Sequence, residues 1–262
     1  MKLAILCSHP DSAYARHILA ALTARGFRGV DVIAAAPAEP RSPAALLRAH
    51  GRRLPRAVAA ALLRRLRAAG RPAAGAGAPS LAALVAAQEG EHCLVPALNG
   101  AAAGERLRAR GVDLALLGGC PILRPPVLRA PRLGTLNAHM GVLPRYRGMN
   151  VLEWALLEGG EAGISVHFVD PGVDTGDIVY VEALPVLPGD TIPLLKRRAM
   201  AQQADLLSRA ALAALDGPLP RRPQAAGEGR QYFAMHPALL AVAARRLQER
   251  QRERSAPAEA LA

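Results

Sequence analysis

Short apolar runs of strand length alternate with helical patterns from the first residues of this chain, and that alternation restricts its fold more than any other feature. Leu3–Cys7 is an uninterrupted apolar run, a Ser8–Asp11 turn follows, and Ala15, Ile18, Leu19 and Leu22 then recur at helical spacing. The succession returns with strands at Val30–Ala34, His92–Val95, Leu114–Leu117 and Thr135–Ala138, and with helices near Leu81–Glu89 and Ala101–Arg110. Continuous apolar strands separated by helices pack as a parallel sheet covered on both faces. The expected fold is therefore α/β, a doubly wound, mostly parallel sheet. In such sheets ligands settle where strand C-termini meet loops, which singles out the end of the Thr135–Ala138 strand.

Between the early strands, 44–69 is helix-forming but broken by Gly51 and Pro55, and 70–79 (GRPAAGAGAP) reads as a mobile surface loop or linker. Later, Ile164–Val169 and Ile178–Val186 are β-rich and divided by the turn-forming stretch DPGVDTGD. Thr191 caps a long helix reaching about Leu215, with Pro193 in its first turn. Residues 1–216 are expected to form the main domain, and 217–262 a short, partly helical C-terminal extension whose charged tail frays after Leu247.

A chain of 262 residues can bury a sizeable core, and with aromatics at 3% and many alanines that core must be aliphatic. The net charge of +12 would suit tRNA, or a phosphorylated or nucleotide-linked substrate. The excess is almost all Arg in a chain also rich in Ala, Gly and Pro, which reads as composition bias rather than a binding face. Cys7, Cys93 and Cys120 are widely spaced with no CxxC pair, so neither a disulfide framework nor a metal site is signalled. The N-terminus lacks a signal-peptide core and no stretch approaches a membrane span, so a cytoplasmic protein without a membrane partner is expected. A homo-oligomer stays open.

Asn137 and His139 stand at the favoured strand end. Taken singly, Asn137 closes a turn, His139 is a satisfied polar residue, and Asp174 with Gly176 forms a turn; His92 and His167, inside strands, read as structural. The blocks together say more. LNAHMGVLPRYRG (136–148), followed by GISVHFVDPGVDTGDIV (163–179), resembles the signature region of 10-formyltetrahydrofolate-dependent formyltransferases. The shared pattern is Asn137-x-His139, Leu143-Pro144 with Gly148, Ser165-Val166-His167-Phe168, and Asp174 with Gly176, in the family's order and at closely similar spacing. The resemblance is clearest from about Val112 to Ala213. One departure is Met140-Gly141, where many relatives carry Pro-Ser or Ala-Ser; it bears on the acceptor pocket more than on the trio.

The resemblance implies a Rossmann-like formyltransferase fold. It also implies transfer of a formyl group from 10-formyltetrahydrofolate, as co-substrate, to a small-molecule amine: an amino sugar, a nucleotide-linked sugar or an amino-acid-derived amine. Asn137, His139 and Asp174 would be catalytic. When an amine attacks the formyl carbon an oxyanion develops, and preplaced donors at that oxygen lower the barrier. The Asn137 carboxamide and a protonated His139 can both donate, aimed at one point if the chain turns between them. Asp174 would favour the imidazolium, orient the ring and help collect the proton lost by the amine. By family position Pro121, Ile122 and Leu123 would flank the pteridine, with the 170–174 loop, Asp170 and Val173 included, closing the other side. Ser8, His9, Arg145 and Arg147 are the candidates for contact with an anionic acceptor. Methionyl-tRNA is the less favoured acceptor, because only about fifty residues follow the helix ending near Leu215 and they do not read as a β-barrel. Hydrolysis of the same folate and non-catalytic folate binding are the competing classes.

Overall fold

Every residue of β1 (Leu3–Cys7) is buried, and the pleat divides them between two cores. Leu3, Ile5 and Cys7 enter one core, Ala4 and Leu6 the other, because successive side chains of a strand point to opposite faces. A computed structural model describes residues 1–37, 78–225 and 227–255. The expected helix at 44–69 and nearly all of the 70–79 loop lie outside those residues. From β1 the chain runs through α1 (Ala13–Ala24), β2 (Asp31–Ala35), α2 (Leu81–Ala87), β3 (His92–Val95), α3 (Ala101–Ala109) and β4 (Leu114–Leu117). It continues through α4 (Pro125–Leu128), β5 (Gly134–His139), β6 (Tyr146–Gly148), α5 (Val151–Glu158), β7 (Gly163–Phe168) and β8 (Ile178–Ala183). The last elements are α6 (Ile192–Asp216), β9 (Arg230–Tyr232) and α7 (Pro237–Ser255).

Seven strands form the main sheet in the order β3-β2-β1-β4-β5-β7-β8. β3 to β5 are parallel, whereas β7 is antiparallel to both β5 and β8. The doubly wound, mostly parallel α/β sheet is thus present, with an antiparallel edge. One core gathers buried side chains of α1, α2, α5, α6 and α7, and the other those of α3 and α4. Ser12 starts α1 by accepting the Ala15 N–H (3.2 Å), and Ala15, Ile18, Leu19 and Leu22 face inward as their spacing requires. Thr191 starts α6 by accepting the Leu194 N–H (3.4 Å), with proline in the first turn.

The C-terminal segment departs from the sequence expectation. β9 pairs in parallel with β6, Tyr146 beside Arg230 and Gly148 beside Tyr232. Gly148 (φ +98°) permits that approach, since a Cβ there would lie 2.2 Å from the Tyr232 carbonyl oxygen. α7 does not fray after Leu247: it continues to Ser255, burying Ala243 and Leu247. Two of its polar side chains bind backbone, Arg250 donating to the Gly160 carbonyl (3.0 Å) and Gln251 to that of Asp190 (2.8 Å). No helix among the described residues is long and apolar enough to cross a membrane.

Stability should follow this layering. Leu116, fully buried on β4, is expected to lose about 2–5 kcal/mol on replacement by Ala in urea unfolding. Leu215, 52% exposed near the end of α6, should lose no more than about 0.5 kcal/mol on the same change.

Candidate active site

β5 carries Asn137 and His139 two residues apart, so both project from one face of the strand. No turn between them is needed, contrary to the sequence expectation, because the pleat alone aligns them. In the antiparallel register with β7, Asn137 faces His167 and His139 faces Ser165. Ser165 Oγ donates to the Gly141 carbonyl (2.7 Å) and accepts the Leu143 N–H (2.9 Å), which ties the loop after β5 to β7.

Asp174 enters from the β7–β8 loop in the left-handed region (φ +53°), where a residue other than glycine is strained. Its Oδ2 accepts the Gly148 N–H (2.8 Å) and lies 3.4 Å from His139 Nδ1; its Oδ1 lies 3.4 Å from His167 Nε2. Burial pushes this carboxyl upward, yet the two imidazoles and the Gly148 N–H outweigh it and hold the group at about 2. Asp174 is a fixed anion at neutral pH.

His139 is only 7% exposed, and its Nε2 donates to the Tyr146 carbonyl (2.8 Å). Burial lowers its pKa, with His167 adding to the effect, against the opposing pull of Asp174 and the Tyr146 carbonyl. Burial thus opposes the imidazolium expected from the sequence, while Asp174 and the Tyr146 carbonyl favour it. In the neutral ring the hydrogen sits on Nε2, leaving Nδ1 bare beside Asp174. Gly141 makes room for this placement: a Cβ there would stand 3.0 Å from both His139 Nε2 and the Tyr146 carbonyl oxygen. The Met140-Gly141 departure thus touches the buried histidine directly.

His167, assigned a structural part on sequence grounds, belongs to the same cluster. Its Nδ1 donates to the Phe168 carbonyl (2.8 Å), so its Nε2 is the variable end, 3.2 Å from Asn137 Nδ2 and 3.4 Å from Asp174 Oδ1. Unprotonated, Nε2 accepts from the Asn137 amide; protonated, it donates to Asp174. The two rings meet edge-on with centroids 6.3 Å apart.

Asn137, His167 and Asp174 line a cleft of about 570 Å³, which Pro121, Ile122, Leu123, Asp170 and Val173 also line. His139 stands behind its surface. Asp170 Oδ1 folds the loop by accepting from Thr175 Oγ1 (2.6 Å) and the Gly172 N–H (3.1 Å). Besides His139, four predicted residues do not line the cleft. Ser8 abuts its rim, donating its N–H to the Gly119 carbonyl (3.0 Å), while His9 Nδ1 accepts the Asp11 N–H (3.1 Å). Arg145 is exposed with its guanidinium 5.2 Å over the Tyr146 ring, and Arg147 donates twice to Gln224 Oε1.

Sequence reading missed Tyr14, Met140, Met200 and Gln203 in the cleft wall. Gln203 had a signal: it follows Leu195 and Ala199 at four-residue steps on the buried stripe of α6, where a polar side chain needs a partner. That partner is the Ala138 carbonyl, between the two functional residues of β5. Tyr14 had none, and its hydroxyl is buried without a partner among the described residues.

A family model described as "Formyl transferase" matches residues 1–211. The methionyl-tRNA formyltransferase of Methylobacterium sp. (strain 4-46) is 38% identical over 151 residues, covering 56% of this chain and 49% of that protein. The cytosolic 10-formyltetrahydrofolate dehydrogenase of Mus musculus is 34% identical over 122 residues, covering 45% of this chain and 14% of that protein. This chain therefore matches about half or less of the length of these curated relatives. Among solved structures, glycinamide ribonucleotide transformylase 1 from Symbiobacterium toebii superposes with a TM-score of 0.51 at 28% identity, over 80% of this chain and 84% of that one.

The depressed carboxyl fixes the sign of a pH effect. A group whose folded pKa lies below its unfolded value stabilises the fold above the unfolded value, and that stability is lost as pH falls through the folded one. With Asp174 at about 2, the stability gap between the wild type and Asp174→Asn should narrow by about 2 kcal/mol from about pH 4 to about pH 2 in urea melts.

Proposed function

The chain belongs to the formyl transferase family, and on that premise we propose that it moves the formyl group of 10-formyltetrahydrofolate onto the amino group of a small molecule. The observation that carries this reading is the convergence of Asn137, His167 and Asp174 on one apolar cleft that Pro121, Ile122 and Leu123 also line, with His139 directly behind the carboxylate. A flat pteridine needs such a wall, and a formyl carbon needs donors beside it.

In the proposed reaction the amine nitrogen attacks the formyl carbon and the carbonyl electron pair moves to oxygen. The Asn137 amide, on the cleft wall, donates to that oxyanion. Asp174, held at about 2, is a poor resting place for the proton lost by the amine, so it passes the proton to the bare Nδ1 of His139 and stabilises the imidazolium formed. The tetrahedral carbon then expels the folate nitrogen, which takes that proton back from the His139 imidazolium through Asp174, and the carbonyl reforms. One N–H is exchanged for another. Residues 1–216 supply every reacting group in this scheme.

Transfer to methionyl-tRNA is the second reading, favoured by the name that the curated relatives carry. Against it, no Lys or Arg among the described residues lines the cleft, and Arg147 and Arg222 are turned to Gln224 and the Leu143 carbonyl. Arg145, exposed on the loop after β5, is the residue we assign to an anionic extension of a small acceptor.

Incubation of the protein with 10-formyltetrahydrofolate and a panel of amino sugars, amino-acid amines and charged initiator tRNA, with water as blank, is expected to show turnover of a small amine. Efficient formylation of the tRNA alone would show the acceptor class to be wrong. Rates should depend weakly on salt, whereas a tRNA acceptor would impose a steep fall. With the best acceptor, Asn137→Ala should lower kcat by roughly 100- to 1,000-fold.

A further inference from the structure

We infer that Gln224, beyond the stretch matched by the family model, is a positioning residue for the reaction, clamping the Asp174 loop while being clamped itself by Arg147. The inference rests on reading the cleft as a formyl-transfer site.

The loop needs a clamp. Asp174 adopts a left-handed backbone without being glycine, and Gly172 and Gly176 stand on either side of it. Its internal ties, from Asp170 to Thr175 and Gly172, do not involve the backbone of Asp174. Gln224 Nε2 supplies that tie, donating to the carbonyls of Asp174 (3.1 Å) and Gly176 (2.6 Å). Gln224 Oε1 accepts from Arg147 Nε (3.0 Å) and Nη2 (2.9 Å). The residue next to Arg147 is Gly148, whose N–H binds the Asp174 carboxylate. Two adjacent residues of β6 therefore hold Asp174, one by its carboxylate and the other, through Gln224, by its backbone.

Gln224 is fixed by its own surroundings. Arg222 exchanges both backbone hydrogen bonds with Ile178 (2.9 and 3.0 Å), and Arg221 places its guanidinium 3.5 Å over the Phe168 ring. On the other side β9 is zipped to β6 from Arg230 onward. The chemistry of the position calls for an amide. It must donate to two carbonyls and accept from a guanidinium at once, which neither a carboxylate nor an ammonium can do.

Gln224→Glu isolates the function: its carboxylate keeps the Arg147 pairing and loses both donations to the loop. The full chain carrying this change, and Gln224→Ala beside it, would be compared with the wild type by hydrogen–deuterium exchange without ligand, and by kinetics with 10-formyltetrahydrofolate and the best acceptor. Expected for both are faster exchange confined to 170–177, unchanged protection of β5 and β7, and a kcat lower by on the order of 10- to 100-fold with a much smaller change in the folate KM. Arg147→Lys should lower kcat in the same way; an effect confined to the acceptor KM would overturn its place in the clamp. Unchanged exchange in 170–177 overturns the clamp, whatever the protein catalyses. Faster exchange with wild-type kcat overturns the positioning role. A wild type inert toward formyl-folate with every acceptor sinks the enzyme reading instead, and the positioning role with it.

Discussion

A carboxylate kept charged away from water is the condition on which the rest of this site depends. Burial disfavours the charge on Asp174, and the Gly148 N–H with two flanking imidazoles outweighs it. Those partners come from β5, β6 and β7, so the ends of three strands have to meet within hydrogen-bond reach of one loop residue. Small errors in that meeting leave a buried anion underpaired, a costly state.

The sheet supplies the meeting point. β5 is the last strand of the parallel set, and β7 returns antiparallel beside it, which places His167 across from Asn137 and Ser165 across from His139. A parallel neighbour would have required a long crossover and brought the opposite end of the strand to this place. β6 cannot stand on the main sheet at all. It is held by β9, so the C-terminal segment supports the carboxylate through Gly148 and the loop through Gln224.

Much of this was legible in the sequence. Apolar runs located β1 and β4 to the residue because fully buried parallel strands have no polar positions to blur their ends. Asn137 and Asp174, which share one cleft, were singled out by block order and spacing. The part of His167 was hidden, since an inward-facing strand histidine looks structural until the register sets it across from Asn137, thirty residues away. Gln224 was hidden for the same reason: its partners are forty-eight and seventy-seven residues distant, and nothing near it in the chain reports them. The burial of His139 was hidden because it depends on Gly141 leaving room beside Tyr146.

In the proposed reaction that burial redistributes the work between Asn137 and His139. A cationic His139 facing the cleft would have shared oxyanion stabilisation with Asn137 and left proton removal to Asp174 alone. In the proposed reaction a neutral ring behind the carboxylate, its hydrogen spent on the Tyr146 carbonyl, offers a lone pair, so His139 is the proton acceptor and the oxyanion falls to the Asn137 amide. That amide lies 3.2 Å from His167 Nε2, which is itself 3.4 Å from Asp174 Oδ1, so the oxyanion donor and the groups that take up the amine's proton form one contiguous cluster.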